Sequence, residues 1–276
     1  MPSIIRRIKR KITRKINKVD FAGRNITVFD NDIFIASYPK SGNTWIRFLV
    51  ANLIHPEQDI NFSNIDRKIP DIYQKTNQYL LNLPKPRIIK SHEYFDPRYQ
   101  KVFYIVRDPR DVLVSNYYHY LKYSWDEQPK SMEEFSQDFI SGSYEMFGDA
   151  NRFGSWKDNV GSWLGAKDGD ANFMLIRYED LEQNKEDNAA RIARFFNAND
   201  SLSNVRQAIK NSSVKRMRNL EKKEADVWPT RQSQRKNISF VRAAKSGNWS
   251  EELSSSIVNQ ISQEWGDLMK SLGYEL

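Results

Sequence analysis

Residues 33–54 read IFIASYPKSGNTWIRFLVANLI, and this stretch restricts the fold more tightly than any other. Ile33 to Ala36 is a short run of apolar and β-branched residues. A tight loop with one proline and one glycine follows, and a helical apolar pattern runs from Asn43 to Ile54. A strand that passes directly into a helix has no hairpin partner beside it. The chain returns through a crossover and lays down a parallel strand instead.

Similar short runs recur at Arg87 to Lys90, Val102 to Val106 and Phe173 to Ile176. Helical patterns are expected at Pro109 to Lys122, Ser131 to Ile140, Asn188 to Phe196 and Glu251 to Leu272, while His55 to Pro86 and Lys222 to Trp249 read as less regular. The fold class implied is α/β, a central mostly parallel sheet with helices on both faces. Ligands of such sheets bind beyond the carboxyl ends of the strands, which makes the residues after each strand the ones to inspect.

The chain has 276 residues, 39% apolar and 28% charged, ordinary values for a globular protein with a substantial core. Without cysteine it has no disulfide, thiolate metal site or thiol nucleophile. The net charge of +8 suggests a nucleic-acid partner until it is located: Arg6, Arg7, Lys9, Arg10, Lys11, Arg14, Lys15 and Lys18 account for all of it. Residues 19–276 are neutral, so no nucleic-acid partner is expected. Within residues 1–18 isoleucines recur at helical spacing between the cations. This basic amphipathic segment fits a helix packed on the domain, a membrane-surface anchor or a polyanion-binding arm. A single domain over residues 19–276 is expected. The absence of a membrane-length apolar run or a secretory signal predicts a cytoplasmic protein, possible peripheral contact with a membrane surface coming through residues 1–18.

The loop after the first strand suits an anion. Gly42 lets the backbone approach a ligand, the first N–H groups of the following helix point at it, and Lys40, Ser41 and Thr44 add a charge and two hydroxyls. In a triphosphate-binding P-loop, GxxxxGK[ST], lysine follows the second glycine; here Lys40 precedes Gly42. That order favours a group transfer needing no metal over a magnesium-dependent kinase or other phosphoryl transferase. After Val102 to Val106 come Arg107 and the helix start Asp108-Pro109, with Ser115 further along, a second anion site. Two such sites ask for a ligand with two separated anionic groups. Between them Arg87 to Lys90 delivers Lys90, Ser91 and His92. His92 is a candidate proton acceptor, with Lys40 and Lys90 placed to stabilise charge on a leaving oxygen. His55 and His119 read as surface or packed histidines.

Six segments, in order, resemble the cytosolic sulfotransferases and their bacterial relatives: YPKSGNTW at Tyr38 to Trp45, RIIKSH at Arg87 to His92, YIVRDPRDVLVSNYY at Tyr104 to Tyr118, FGSWKDNVGSWL at Phe153 to Leu164, LIRYEDL at Leu175 to Leu181 and FVRAAKSGNW at Phe240 to Trp249. The resemblance implies a P-loop-like sulfotransferase fold. It also implies 3′-phosphoadenosine 5′-phosphosulfate as sulfuryl donor, 3′-phosphoadenosine 5′-phosphate as product and no metal.

On that resemblance Lys40, Ser41, Gly42, Asn43, Thr44 and Trp45 hold the 5′-phosphosulfate, with Trp45 beside the adenine. Arg107, Ser115 and Arg242 hold the 3′-phosphate, Tyr178 and the Ser213–Met217 segment touch adenine, and His92 is the base. For Trp45 and Tyr178 an ordinary core aromatic fits equally well. The family's usual Arg-Lys-Gly triplet is Arg242, Ala243, Ala244 here, so one cationic contact is lost or replaced by Lys245. Asn43 stands where Thr is common, and Asn159 where His is common. The family's C-terminal dimerisation motif is not recognisable in Ser250 to Asn259, and the oligomeric state stays open. The candidate pocket segments Tyr94 to Pro97, Tyr117 to Trp125 and Tyr144 to Phe153 are aromatic-rich, which suits a phenol, a lipid or a glycan acceptor equally well.

Overall fold

A computed structural model describes residues 20–124, 126–144, 153–224, 235, 237–242 and 245–276. The basic segment 1–18, Trp125, residues 145–152, Ala243 and Ala244 lie outside the described residues.

In chain order the first elements are β1 (Ile33–Ser37), α1 (Asn43–Ile54), α2 (Ile65–Lys68), α3 (Asn77–Leu81), β2 (Ile88–Ser91), β3 (Lys101–Val106), α4 (Pro109–Tyr123) and α5 (Met132–Ile140). They are followed by α6 (Trp156–Lys167), β4 (Phe173–Arg177), α7 (Tyr178–Gln183), α8 (Lys185–Phe195), α9 (Leu202–Asn211), α10 (Val214–Lys223), α11 (Trp249–Glu252) and α12 (Ser255–Ser271). The four strands are all parallel in the order β2-β1-β3-β4, with Ile35 opposite Lys90 on one side and Phe103 on the other.

Strand alternation divides the core in two. Phe34, Ala36, Val102, Tyr104 and Val106 face Leu113 of α4, Phe139 of α5, Trp156 and Trp163 of α6, and Trp265 of α12. Ile33, Ile35, Phe103 and Ile105 face Ile46 and Leu49 of α1, Ile192 of α8, Val205 of α9 and Met217 of α10. The expected helices on both faces are present. Each apolar side chain buried this fully contributes on the order of 1.5–3 kcal/mol.

Helix starts follow their local chemistry. The Asp108 carboxylate accepts from the Arg110 N–H at 2.9 Å with Pro109 in the first turn of α4, and Ser155 and Asp158 cap α6 reciprocally. The helix expected over Glu251 to Leu272 is interrupted: Leu253 and Ser254 are extended (ψ 137° and 153°), so α11 and α12 are separate. The helix expected from Asn188 begins earlier, at Lys185, and the sequence patterns do not predict α2, α3, α6, α7, α9 or α10.

Candidate functional site

Strand order creates the site. From β1 the chain crosses to β2 on one side and afterwards to β3 on the other, so the segments leaving β1 and β3 lie next to each other at the carboxyl edge of the sheet. The loop after β1 turns through two left-handed residues, Lys40 (φ +70°) and Gly42 (φ +99°), before α1 begins at Asn43. A Cβ on Gly42 would lie 2.6 Å from the ring of Tyr178, so glycine is required there by both conformation and space. The Ser41 hydroxyl is buried with no hydrogen-bond partner among the described residues. Asn43 turns inward: its side-chain amide donates to Ser37 Oγ at 3.1 Å and the Ile35 carbonyl at 3.3 Å. What Asn43 can present to a ligand is its backbone N–H. Thr44 and Trp45, in the same first turn, are half-buried. Lys40 Nζ lies 5.0 Å from the centre of the Phe240 ring. Burial, and after it the fields of Lys90 and Arg107, lower Lys40 to a pKa of about 7.

The strand end of β2 sets the histidine. Nδ1 of His92 is 2.8 Å from the Ser37 carbonyl, a group that only accepts, so Nδ1 carries the proton and Nε2 is left as the basic nitrogen. Tyr73 lies parallel to the imidazole at 6.0 Å and Phe153 meets it edge-on at 5.9 Å. The His92 N–H donates to Tyr73 Oη at 2.9 Å. The His92 carbonyl accepts from Asn159 Nδ2 at 3.0 Å, and Asn159 is fixed in turn by the Tyr104 hydroxyl at 2.7 Å. Asn159 therefore braces the histidine from behind. Burial first, then Lys90, push His92 down to about 3. Lys90 is paired with Asp71 at 2.6 Å, both buried; burial lowers its pKa and Asp71 opposes the shift. Asp71, from the irregular stretch before β2, gave no sequence signal.

At the end of β3, Arg107 donates through Nη2 to the Lys245 carbonyl at 2.9 Å and lies 3.5 Å from Asp111, while its buried Nε–H has no partner among the described residues. Its guanidinium sits 4.4 Å above the Tyr178 ring, which meets Trp45 edge-on at 5.2 Å. Loop, arginine and both predicted aromatics are thus one assembly. Lys245 joins it through its backbone, whereas its side chain belongs to an exposed residue. Ser213 caps α10 by accepting from the Arg216 N–H, and Met217 is buried in the same core cluster that Trp45 flanks.

A cleft beside the loop is lined by Lys40, Ser115, His119, Lys122, Phe240 and Arg242. Arg242 is held by Glu252 at 3.0 Å and lies over Tyr118 at 4.2 Å. His119, read from sequence as an unremarkable helical residue, is in this wall. Burial, then Lys40, Lys90 and Lys122, hold its pKa well below the ordinary value. Lys122 was not singled out either. The available signal was the spacing of 115, 118, 119 and 122, one face of a helix.

The orphaned Ser41 hydroxyl and Arg107 Nε–H, two buried polar groups at the ends of β1 and β3, fit a ligand with two anionic groups. The sulfotransferase domain family model matches residues 30–273. Sulfotransferase 1E1 of Cavia porcellus is 28% identical over 89% of this chain and 86% of its own. Sulfotransferase 2B1 of Mus musculus is 30% identical over 84% of this chain and 69% of its own. Among solved structures, retinol dehydratase in a complex with retinol and PAP superposes with a TM-score of 0.74 at 20% identity, covering 92% of this chain and 85% of that one. With the family model spanning nearly the whole chain over this fold, the protein belongs to the sulfotransferase family.

Proposed function

We propose that this sulfotransferase transfers a sulfuryl group from 3′-phosphoadenosine 5′-phosphosulfate to a hydroxyl, or less readily an amine, of a small-molecule, lipid or glycan acceptor, with His92 as the base. The observation that carries the reading is the Ser37 carbonyl at 2.8 Å from His92 Nδ1, which directs the basic nitrogen away from the strand that launches the anion loop. The donor supplies an activated bond from sulfur to a phosphate oxygen, with 3′-phosphoadenosine 5′-phosphate as the other product. Ser41, the first-turn N–H groups of α1 at Gly42, Asn43 and Thr44, and Lys40 hold its 5′ end. Arg107, Ser115 and Arg242 hold its 3′-phosphate. Trp45 and Tyr178 flank the adenine, with the Ser213–Met217 segment behind them, and Lys245 closes the far side through its carbonyl.

A histidine lowered to about 3 is neutral at physiological pH and ready to accept a proton, but a poor holder of one. Burial is the main cause and Lys90 the second. Anionic groups beside Lys40 and Lys90 offset the field of those cations, so the base is strengthened when the donor is in place. Lys90, steadied by Asp71, and Lys40 lie where charge develops on the departing oxygen.

Rings of Tyr73 and Phe153 beside His92 suit an acceptor with an apolar or ring-shaped body. The retinol in the similar structure is such a molecule. Residues 19–276 act as one catalytic unit in this reading, in the cytoplasm, and the alternating cations and isoleucines of residues 1–18 suit contact with a membrane surface. Among the described residues no helix is long and apolar enough to cross a membrane.

The test is His92→Ala. Loss of a positioned base lowers turnover by roughly two to four orders of magnitude while calorimetric binding of 3′-phosphoadenosine 5′-phosphate is retained. Turnover at the wild-type rate removes His92 from the mechanism. Screening hydroxylated lipids, phenols and glycans with labelled donor identifies the acceptor.

A further inference from the structure

Ser115, Tyr118, His119 and Lys122 of α4 share one helical face and line one cleft, opposite Phe240 and Arg242, with Lys40 at its end. The charge of this cleft is unbalanced. Glu252 pairs with Arg242 at 3.0 Å. Glu221 acts on Lys122 only through its field, because its carboxylate accepts from the N–H groups of Phe240 and Val241 at 2.6 and 3.0 Å. Lys122 is 3% exposed, and its ammonium donates to the Ile238 carbonyl. An ammonium has three N–H groups, and that carbonyl takes one. A cation buried among cations is costly unless an anion joins it.

The lining says which anion. Of the loop over Tyr38 to Trp45, only Lys40 reaches this cleft, and Arg107, assigned to the same 3′-phosphate, is outside its lining and would meet that phosphate from beyond the cleft. Ser115 and Arg242, both placed at the donor's 3′-phosphate above, do reach it. We propose that Lys122 is a further donor-binding residue that grips the 3′-phosphate across the cleft from Arg242, supplying the second cation that Ala243 does not. His119 beside it is held neutral by burial and by the neighbouring lysines, so it adds no competing charge. The assignment rests on the donor reading of the preceding subsection. It adds a contact from a helix face two turns beyond Ser115.

The experiment compares binding of 3′-phosphoadenosine 5′-phosphate and adenosine 5′-phosphate, which differ only in the 3′-phosphate, to wild type, Lys122→Gln and Lys122→Arg by calorimetry. Glutamine keeps a donor for the Ile238 carbonyl and removes the charge, so the 238–242 segment stays anchored. Arginine keeps the charge. Expected are a loss of about tenfold or more for the bisphosphate in Lys122→Gln, a change below about twofold for adenosine 5′-phosphate, and near-wild-type discrimination in Lys122→Arg. Equal weakening of both ligands overturns the assignment, because Lys122 then acts through the shape of the segment. No weakening of either overturns it as well. The donor reading fails differently: wild type itself then shows no preference for the bisphosphate.

Discussion

Two arginines, Arg87 and Arg107, mark opposite ends of the same sheet. Arg87 enters β2 and is saturated: Nε donates to Asp32 Oδ1 at 2.8 Å, Nη1 to the Leu80 carbonyl at 3.0 Å and Nη2 to the Thr27 carbonyl at 2.7 Å. Asp32 is fully buried and also accepts from the Phe29 N–H at 2.8 Å. Arg107 leaves β3 at the other edge with its Nε–H unpartnered among the described residues and its nearest carboxylate at 3.5 Å. Both are buried, at 2% and 8% exposure. The difference between them is hydrogen-bond saturation, and it separates an arginine whose guanidinium is taken up by the fold from one with a buried donor to spare.

The largest effect expected from breaking this contrast is at the saturated end. Arg87→Met strands the Asp32 carboxylate in the core and should cost about 3–5 kcal/mol of stability, read as a lower urea midpoint. Arg107→Met removes a fork that the protein uses only in part, since Asp111 keeps its bonds to the N–H groups of Gly247 and Trp249 at 2.8 and 3.1 Å. The expected result is a small change in midpoint and a loss of about 1.5–3 kcal/mol in binding of 3′-phosphoadenosine 5′-phosphate, the worth of a charge-assisted hydrogen bond. If Arg107→Met unfolds the protein as readily as Arg87→Met and leaves binding intact, the two ends do not differ in kind.

The same contrast explains what could be read from sequence. Lys40, His92 and Arg107 are legible because each lies within three residues of the end of a parallel strand, and parallel strands are near-continuous apolar runs with a fixed exit edge. His119 and Lys122 are not, because they enter the site from a helix whose facing direction depends on what packs against it. Lys245 is legible as a residue next to the altered triplet, but the contact of its backbone carbonyl with Arg107 is not, because a backbone contact carries no sequence signal. Asp71 pairs with Lys90 from a stretch with no periodicity. In the fold, α6 was hidden by Gly161 and Gly165, which suggest a break; a Cβ at either meets nothing within 4 Å, so packing does not require these glycines. Helices α9 and α10 carry few apolar residues, too few to stand out before Met217, Leu220 and Val205 are seen buried.

A smaller effect tests how far the loop and the arginine form one unit. In Gly42→Ala the left-handed φ of +99° costs about 1–2 kcal/mol, and the new methyl displaces the Tyr178 ring on which Arg107 rests at 4.4 Å. Donor-product binding is expected to weaken by roughly tenfold, the equivalent of about 1.4 kcal/mol. Unchanged binding would mean that the Tyr178 ring does not support the arginine.

The finest test uses protons. Lys40 is lowered to about 7 by burial first and by Lys90 and Arg107 next. A cation with a depressed pKa is charged below that value and neutral above it, so an anion that needs the charge binds less tightly as pH rises through 7. Binding of 3′-phosphoadenosine 5′-phosphate should therefore weaken by roughly tenfold from pH 7 to 8.5, with uptake of close to one proton at the upper end, visible as a buffer-dependent heat. Lys40→Arg keeps its charge throughout and should flatten the slope. A slope that survives in Lys40→Arg would place the titrating group outside the loop.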